Sequence, residues 1–432
     1  MPRIDQASSY PKKVLIAAAL GNAFEWFDFV IYGYLAVTMS RLFFPTYDSD
    51  VALMLTLATF AAGFIMRPVG GLLIGIYADR VGRRAALTTT IWIMAVATAL
   101  IAFSPTYEMA GPIAPAVVLM ARLLQGFAAS GEYGSAVALL AESAPPNRKS
   151  FYIAWQMTSS LLAIVLAGAI GLAGILFLTT AQLEAWGWRV PFLVGLLIAP
   201  IGYYIRRQVD ETLDLSSHRR SSWLQDMVLL SREKSRELIA AFALMAMSAG
   251  NFYVTFVYMP AFAVRELGLG PLAPFLSTSV AGLMCAVGGI FWASLVDRGV
   301  SARWLLGLAA LLLAVIVYPL YVWVIAHSSL GVLIAMQMAL AIPGSMIVGL
   351  MTVVCAQLFP ASVRASTLGV GYNVANMVFG GLAPLMVSWL VFLTSDKASA
   401  AYYVLAMALI GLVGVITLLL PSKAASGQAA IS

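Results

Sequence analysis

Charge is what this sequence has least of. Aspartate, glutamate, lysine and arginine make up 10% of the 432 residues, against about 25% in soluble domains, and the mean hydropathy is +0.92. A soluble globular protein is excluded. Histidine occurs only twice, as His218 in a polar stretch and His327 near the end of an apolar run. No Ser/His/Asp constellation or metal cluster can be assembled from so few, so neither enzymatic chemistry nor a metal or other cofactor is expected. The two cysteines, Cys285 and Cys355, fall inside apolar runs with no ligand-type spacing and read as small apolar side chains. Also missing is any polar stretch long enough for a soluble domain: the longest, residues 206 to 237, cannot bury a core of its own. Lys12 and Lys13 precede an apolar run, but the run is too long for a signal-peptide core and is the first span.

What is present is a series of apolar runs of the roughly 20 residues that a helix needs to cross a bilayer. Twelve can be placed, at 14 to 39, 52 to 77, 86 to 103, 113 to 140, 151 to 178 and 190 to 205, then 238 to 263, 274 to 296, 304 to 326, 330 to 357, 365 to 393 and 401 to 420. The expected fold class is an all-α membrane protein of twelve transmembrane helices in two six-helix halves. The halves are residues 1–205 and 238–432, joined by a linker at 206–237 that contains an amphipathic helix. The net charge of +6 raises nucleic acid as a partner, but the placement of the 25 basic residues argues for a bilayer instead. With the N-terminus cytoplasmic, 19 of them face the cytoplasm, and only Arg41, Arg189, Arg265 and Lys397 face out. The positive-inside rule then sets both termini in the cytoplasm. A multi-pass protein of the cell inner membrane, acting as a monomer, is expected.

The halves share a mark. Gly70 to Arg84 reads GGLLIGIYADRVGRR and Gly288 to Arg303 reads GGIFWASLVDRGVSAR. Gly70 to Gly288, Asp79 to Asp297 and Arg80 to Arg298 are each separated by 218 positions (288 − 70, 297 − 79, 298 − 80). Arg148 and Arg364 also correspond, each following a proline-containing turn at a helix start. Gly75 allows close helix approach, while Asp79, Arg80, Arg83 and Arg84 can clamp neighbouring helix ends through terminal amides and carbonyls. The plainer alternative is a positive-inside anchor. Asp297 and Arg298 repeat the clamp, but Val300, Ser301 and Ala302 stand where the first copy has Gly82, Arg83 and Arg84, so the second gate is expected to be the looser one.

Polar groups inside the spans carry the chemistry. In the first, Asn22, Glu25, Asp28 and Tyr32 recur at spacings of three and four and share one helix face. An ionisable group at that depth costs roughly 2.5 to 3.5 kcal/mol on insertion scales and therefore faces a cavity or a partner. A buried ion pair that merely holds helices together is the competing reading. Arg67 in the second span precedes Pro68 and the glycines, roughly 12 Å deep, and needs a carboxylate, carbonyls or a substrate. The fourth span, RLLQGFAASGEYGSA, places Arg122, Gln125 and Tyr133 on one face with Glu132 nearby. Spans seven to twelve hold no deep charge and offer neutral groups instead: Tyr253 and Tyr258 on the seventh, and Tyr372, Asn373 and Asn376 on the eleventh.

Two six-helix halves with GxxxDRxGRR between helices two and three resemble the major facilitator superfamily over essentially the whole chain. The RLLQG segment, Arg122 to Gly126, is similar to that family's fourth-helix motif, whose arginine is associated with proton coupling. GNAFEWFDF, FIMRPVGG, GEYGS, WGWRVPF and VFGGLAP resemble the metabolite:proton symporter branch, and within it the citrate-proton symporters. Osmolyte-transporting members carry a long C-terminal coiled coil, whereas this sequence ends about ten residues after the last span without a heptad.

The expected function is proton-coupled import of a small organic anion, citrate or a related tricarboxylate. Arg67 and Arg122 would meet the anion's carboxylates with planar forks, helped by Gln125, Asn22, Tyr32, Tyr253, Tyr258, Tyr372, Asn373 and Asn376. Asp28, Glu25 and Glu132 would carry the protons. A symporter for 2-oxoglutarate, shikimate or a zwitterionic osmolyte is the alternative within the class. A non-transporting nutrient receptor is the alternative outside it.

Overall fold

The computed structural model describes residues 4–81, 83–207 and 234–420. A backbone in hydrocarbon has no water to bond with, so each apolar run satisfies its own amides as a helix. The twelve long helices among the described residues are α1 (Ile4–Tyr34), α2 (Ser49–Val81), α3 (Arg83–Ala102), α4 (Ile113–Ser143), α5 (Lys149–Phe177), α6 (Val190–Arg207), α7 (Ser235–Arg265), α8 (Leu272–Asp297), α9 (Ala302–Ala326), α10 (Leu330–Leu358), α11 (Val363–Thr394) and α12 (Ser399–Leu419). Nine of these described helices are long and apolar enough to cross a membrane by length and composition alone. The first expected span, 14 to 39, is instead one helix from Ile4 to Tyr34 and a short second one, Ala36–Phe43. Most of the predicted 206–237 linker, with its amphipathic helix, lies outside the described residues.

Lipid supplies no hydrophobic force between helices, so small residues that admit close backbones decide the packing. In the first half, α2 lies on α4, α3 on α6, and α1 on α5 and α6. The second half repeats this, with α8 on α10, α9 on α12 and α7 on α12. Glycines make the matching contacts. A Cβ on Gly126 would fall 1.6 Å from the Gly63 carbonyl oxygen, and one on Gly349 would fall 2.4 Å from that of Gly289. The halves meet along α5 with α8 and α4 with α11. A Cβ on Gly134 of α4 would lie 2.0 Å from the carbonyl oxygen of Ala365 on α11.

Three helices are irregular where they line the seam. A 3-10 turn at Ala129–Gly131 interrupts α4. π-helical turns run through Tyr253–Tyr258 of α7 and Asn376–Gly381 of α11. Such turns inside α-helices concentrate at functional sites, and here they hold three of the predicted binding residues, Tyr253, Tyr258 and Asn376, with Tyr372 one helical turn before the last.

Candidate substrate and proton site

Close approach of α2 to α4 at Gly63 and Gly126 brings two arginines into the centre of the first half. Arg67 and Arg122 are 1% and 0% exposed. Charges so deep require compensation, and rings provide part of it. The Arg122 guanidinium carbon stands 4.7 Å from the Phe29 ring centre, 4.8 Å from Tyr32 and 4.8 Å from Phe60. That of Arg67 lies 4.8 Å from Phe29 and 4.5 Å from Phe64. Phe29 therefore touches both cations. Desolvated cation–π contacts are worth about 2 kcal/mol each, enough to hold the pair without neutralising it.

The carboxylates of α1 divide between two directions. Glu25 places Oε1 3.7 Å from Nη2 of Arg67, an ion pair longer than a hydrogen bond. Asp28, one turn on, turns instead towards α3 and α6. Its Oδ2 accepts a 2.5 Å hydrogen bond from Oγ1 of Thr98, while a Cβ on Gly195 of α6 would come within 2.3 Å of Oδ1. Asp28 reaches Arg122 through two side chains. Nε2 of Gln125 donates to Oγ1 of Thr98 at 3.2 Å, and Nη1 of Arg122 donates to Oε1 of Gln125 at 2.7 Å. Thr98 and Gly195 were not singled out from sequence: a threonine and a glycine in apolar helices carry no signal until the facing carboxylate is known. Nε and Nη2 of both arginines, and Oδ1 of Asp28, have no hydrogen-bond partner among the described residues. The arrangement offers unsatisfied N–H forks to an anion beside a buried carboxylate able to take a proton.

Other predicted site residues separate from this centre. Asn22 shares the face of α1 but is consumed by α5: its Nδ2 donates to the Gln156 carbonyl at 2.7 Å and to Oγ of Ser159 and of Ser160 at 2.8 Å, while Gln156 returns a 2.9 Å bond. It is a clamp between helices. Glu132 begins the helix beyond the 3-10 turn and is partly exposed; seven residues of rise, about 10 Å, part it from Gln125, so the two are not neighbours. Tyr253 joins the centre, its ring 5.2 Å from Phe64 and 6.1 Å from Phe60, and its hydroxyl has no hydrogen-bond partner among the described residues. The Tyr32 hydroxyl donates to the Thr56 carbonyl at 3.3 Å.

Tyr372 and Asn373 close the seam towards the end where α8 and α12 finish, with Asn376 beside them. Tyr372 stacks on Tyr133 at 3.6 Å, Nδ2 of Asn373 donates to the Ser130 carbonyl at 2.7 Å, and Asn376 donates to its own helix at Tyr372. At the same end Asp297 crosses between halves, its Oδ1 and Oδ2 accepting from the Ser150 and Phe151 amides at 2.8 and 2.9 Å. It thus caps α5, with the charge that a helix N-terminus favours. Arg298 beside it is exposed. Gly75, Asp79 and Arg80 fall in α2 and Arg83 and Arg84 begin α3, but the side chains of Asp79, Arg80, Arg83 and Arg84, and Gly82 altogether, lie outside the described residues.

At the opposite end Arg265 bonds to Ser49 and pairs with Asp50, again across the halves. Tyr258 faces this end. It lines a cavity of about 310 Å³ with Asp50, Arg265, Glu266 and Lys397, away from the arginine pair.

Residues 18–298 match the family model described as Major Facilitator Superfamily. A citrate-proton symporter of Klebsiella pneumoniae is 35% identical over 402 residues, covering 92% of this chain and 89% of that protein. A Staphylococcus aureus protein provisionally named as a proline/betaine transporter is 33% identical over 417 residues, covering 93% and 86%. The crystal structure of a D-xylose-proton symporter superposes with a TM-score of 0.76 at 17% identity, over 94% of this chain and 97% of that one. The chain belongs to the Major Facilitator Superfamily and is a multi-pass membrane transporter rather than an enzyme.

Proposed function

We propose that this transporter imports a small organic anion together with protons, and that citrate or a related tricarboxylate is the substrate. The observation that carries the reading is the pair of buried guanidinium groups, sharing Phe29 and each keeping unpartnered N–H donors. Against these two cations stand Glu25 and Asp28, the latter aimed away from them towards Thr98. A substrate with at least two carboxylates satisfies both forks at once, which a single carboxylate does not. Asp28 takes the coupling proton and Glu25 exchanges its partner, Arg67, with the substrate. The names of the K. pneumoniae relative and of the xylose symporter support coupling to protons. The protein then acts as a monomer in the cell inner membrane with both termini cytoplasmic, so that its basic end, Asp297 included, faces the cytoplasm. Rocking of the two halves about the arginine pair alternates access.

The second reading is a 2-oxoglutarate, shikimate or zwitterion symporter, and within it the name of the S. aureus relative favours the zwitterion. Both are tested in proteoliposomes by competition of citrate, 2-oxoglutarate, shikimate and betaine for uptake, with and without an inward proton gradient. Gradient-driven accumulation displaced best by citrate is expected; displacement by betaine alone would sink the anion reading. Asp28→Asn is expected to abolish accumulation while leaving substrate exchange, and unaltered accumulation would remove Asp28 from coupling.

A further inference from the structure

Between Asp28 and Arg122 lies a chain whose hydrogen bonds have a fixed direction. A guanidinium only donates, so the Gln125 amide oxygen must face Arg122 and its NH₂ must face Thr98. The Thr98 hydroxyl receives that bond and passes its own proton towards Asp28. Each of the three bonds of this chain joins a donor to an acceptor when Asp28 is ionised and no anion is bound.

Resting on the proton-coupled anion reading, we infer that Thr98 and Gln125 form a hydrogen-bond relay whose direction reverses when Asp28 takes its proton, and that this reversal couples the proton to the anion. A proton on Oδ2 turns the carboxyl into a donor to Thr98. The hydroxyl then directs its hydrogen at Gln125, which can accept it only by rotating its amide and bringing NH₂ round to Arg122. Two donors now face each other. An anion oxygen placed between them accepts from Nη1 of Arg122 and Nε2 of Gln125 together and restores every bond. Along the relay, the empty ionised carrier and the loaded protonated one each set a donor against an acceptor at every contact, whereas either mixed state holds one frustrated contact among buried side chains. The proton stays on Asp28 until the anion leaves and Gln125 turns back. A proton on Oδ1 would face the space kept by Gly195, where no acceptor is described, and so would leave a buried donor unmatched.

The charged and titratable groups around Asp28 do not offer another route. Its own helix contributes Glu25 and Tyr32, α2 contributes Arg67, α4 contributes Arg122, and α7 contributes Tyr253, all turned to the aromatic side. In the sequences of α3 and α6 the ionisable residues come at the helix ends, Arg83 and Arg84 in one and Tyr203, Tyr204, Arg206 and Arg207 in the other, and those of α5 are Lys149 and Tyr152 in its first turn. Thr98 and Gln125 are thus positioning residues, acting on the anion and the proton through each other.

The test measures affinity for whichever anion the uptake panel selects, at pH 5.5 and pH 8, by calorimetry on purified protein in nanodiscs. Wild type, Thr98→Val, Thr98→Ser and Asp28→Asn are compared; the anion's own titration is common to all four and cancels. Coupling of ordinary size makes wild-type affinity about tenfold higher at the lower pH. Thr98→Ser keeps that ratio, while Thr98→Val, nearly the same shape, flattens it to the level of Asp28→Asn. A Thr98→Val protein with the wild-type ratio overturns the relay, as does a wild type with no excess over Asp28→Asn. Those results leave the transport reading standing if uptake still follows the proton gradient; uptake indifferent to the gradient removes both.

Discussion

Asp297→Ala should open the end of the carrier at which α8 and α12 finish. In wild type the carboxylate accepts two hydrogen bonds from the first turn of α5, at 2.8 and 2.9 Å, and those bonds join α8 of one half to α5 of the other. A bond to a charged partner contributes about 1.5 to 3 kcal/mol. Asp297 is only half-buried, so solvent screening reduces the pair to about 2 kcal/mol in total. Because the contact exists only while the halves are closed there, its loss raises the ratio of open to closed carriers by about thirtyfold. The assay is alkylation of a cysteine at Ser130→Cys, where the seam is sealed by Asn373, in a background with Cys285→Ala and Cys355→Ala. Labelling should accelerate by about thirtyfold in Asp297→Ala and by an intermediate factor in Asp297→Asn, whose amide oxygen can still accept one bond. A rate within twofold of wild type would show that α5 is not the partner that keeps this end shut.

Arg122→Lys keeps the charge but loses the planar fork and its fit against Phe29, Tyr32 and Phe60; uptake kcat/KM should fall about a hundredfold while exposed Arg298→Lys leaves it unchanged, and a fall below threefold would refute the carboxylate clamp. Gly126→Ala forces a methyl group to within 1.6 Å of the Gly63 carbonyl and should cost about 3 kcal/mol, seen as a melting temperature lower by about 5 °C in a thiol-dye assay. Gly174→Ala, whose Cβ meets Leu183 at 3.4 Å, should melt within about 1 °C of wild type; equal losses would mean that the α2–α4 contact is not special. Asp50→Asn weakens the bridge at the other end, but Arg265 keeps its bond to Ser49 and the Asp50 side chain is 48% exposed, so labelling of Ser388→Cys in the adjoining cavity should rise by less than about fivefold. A thirtyfold rise there would place the stronger latch at this end instead.

The spans, their duplication and the deep arginines were readable from sequence because each is a one-dimensional signal: run length, a repeated offset, a charge among apolar residues. What spacing conveys is the face of a helix, and it says nothing about which helix lies opposite. Asn22, Glu25 and Asp28 share a face of α1, yet they meet α5, Arg67 and Thr98 respectively. Tyr253 and Tyr258 follow one another on α7, yet they are the first and last residues of its π turn and end at the arginine centre and at the far cavity. Asp297 was expected in the looser gate because its copy lacks two arginines; its carboxylate nonetheless finds backbone amides, which no side-chain pattern reveals. Thr98 and Gly195 gain meaning only from the carboxylate wedged between them.

The backbone contact between Gly63 and Gly126 has a consequence for how the carrier treats its cargo on the two sides of the membrane. With carbonyl against Cα and no side chain between, α2 and α4 cannot slide or spread independently, and in the function proposed above Arg67 and Arg122 ride on those two helices as fixed jaws. Alternation therefore changes which aqueous phase reaches the jaws and leaves the distance between them as it was. The grip on the solute is then the same from either compartment, and the direction of net flow is set by concentrations and by the proton alone: the machine runs backwards whenever the gradients do.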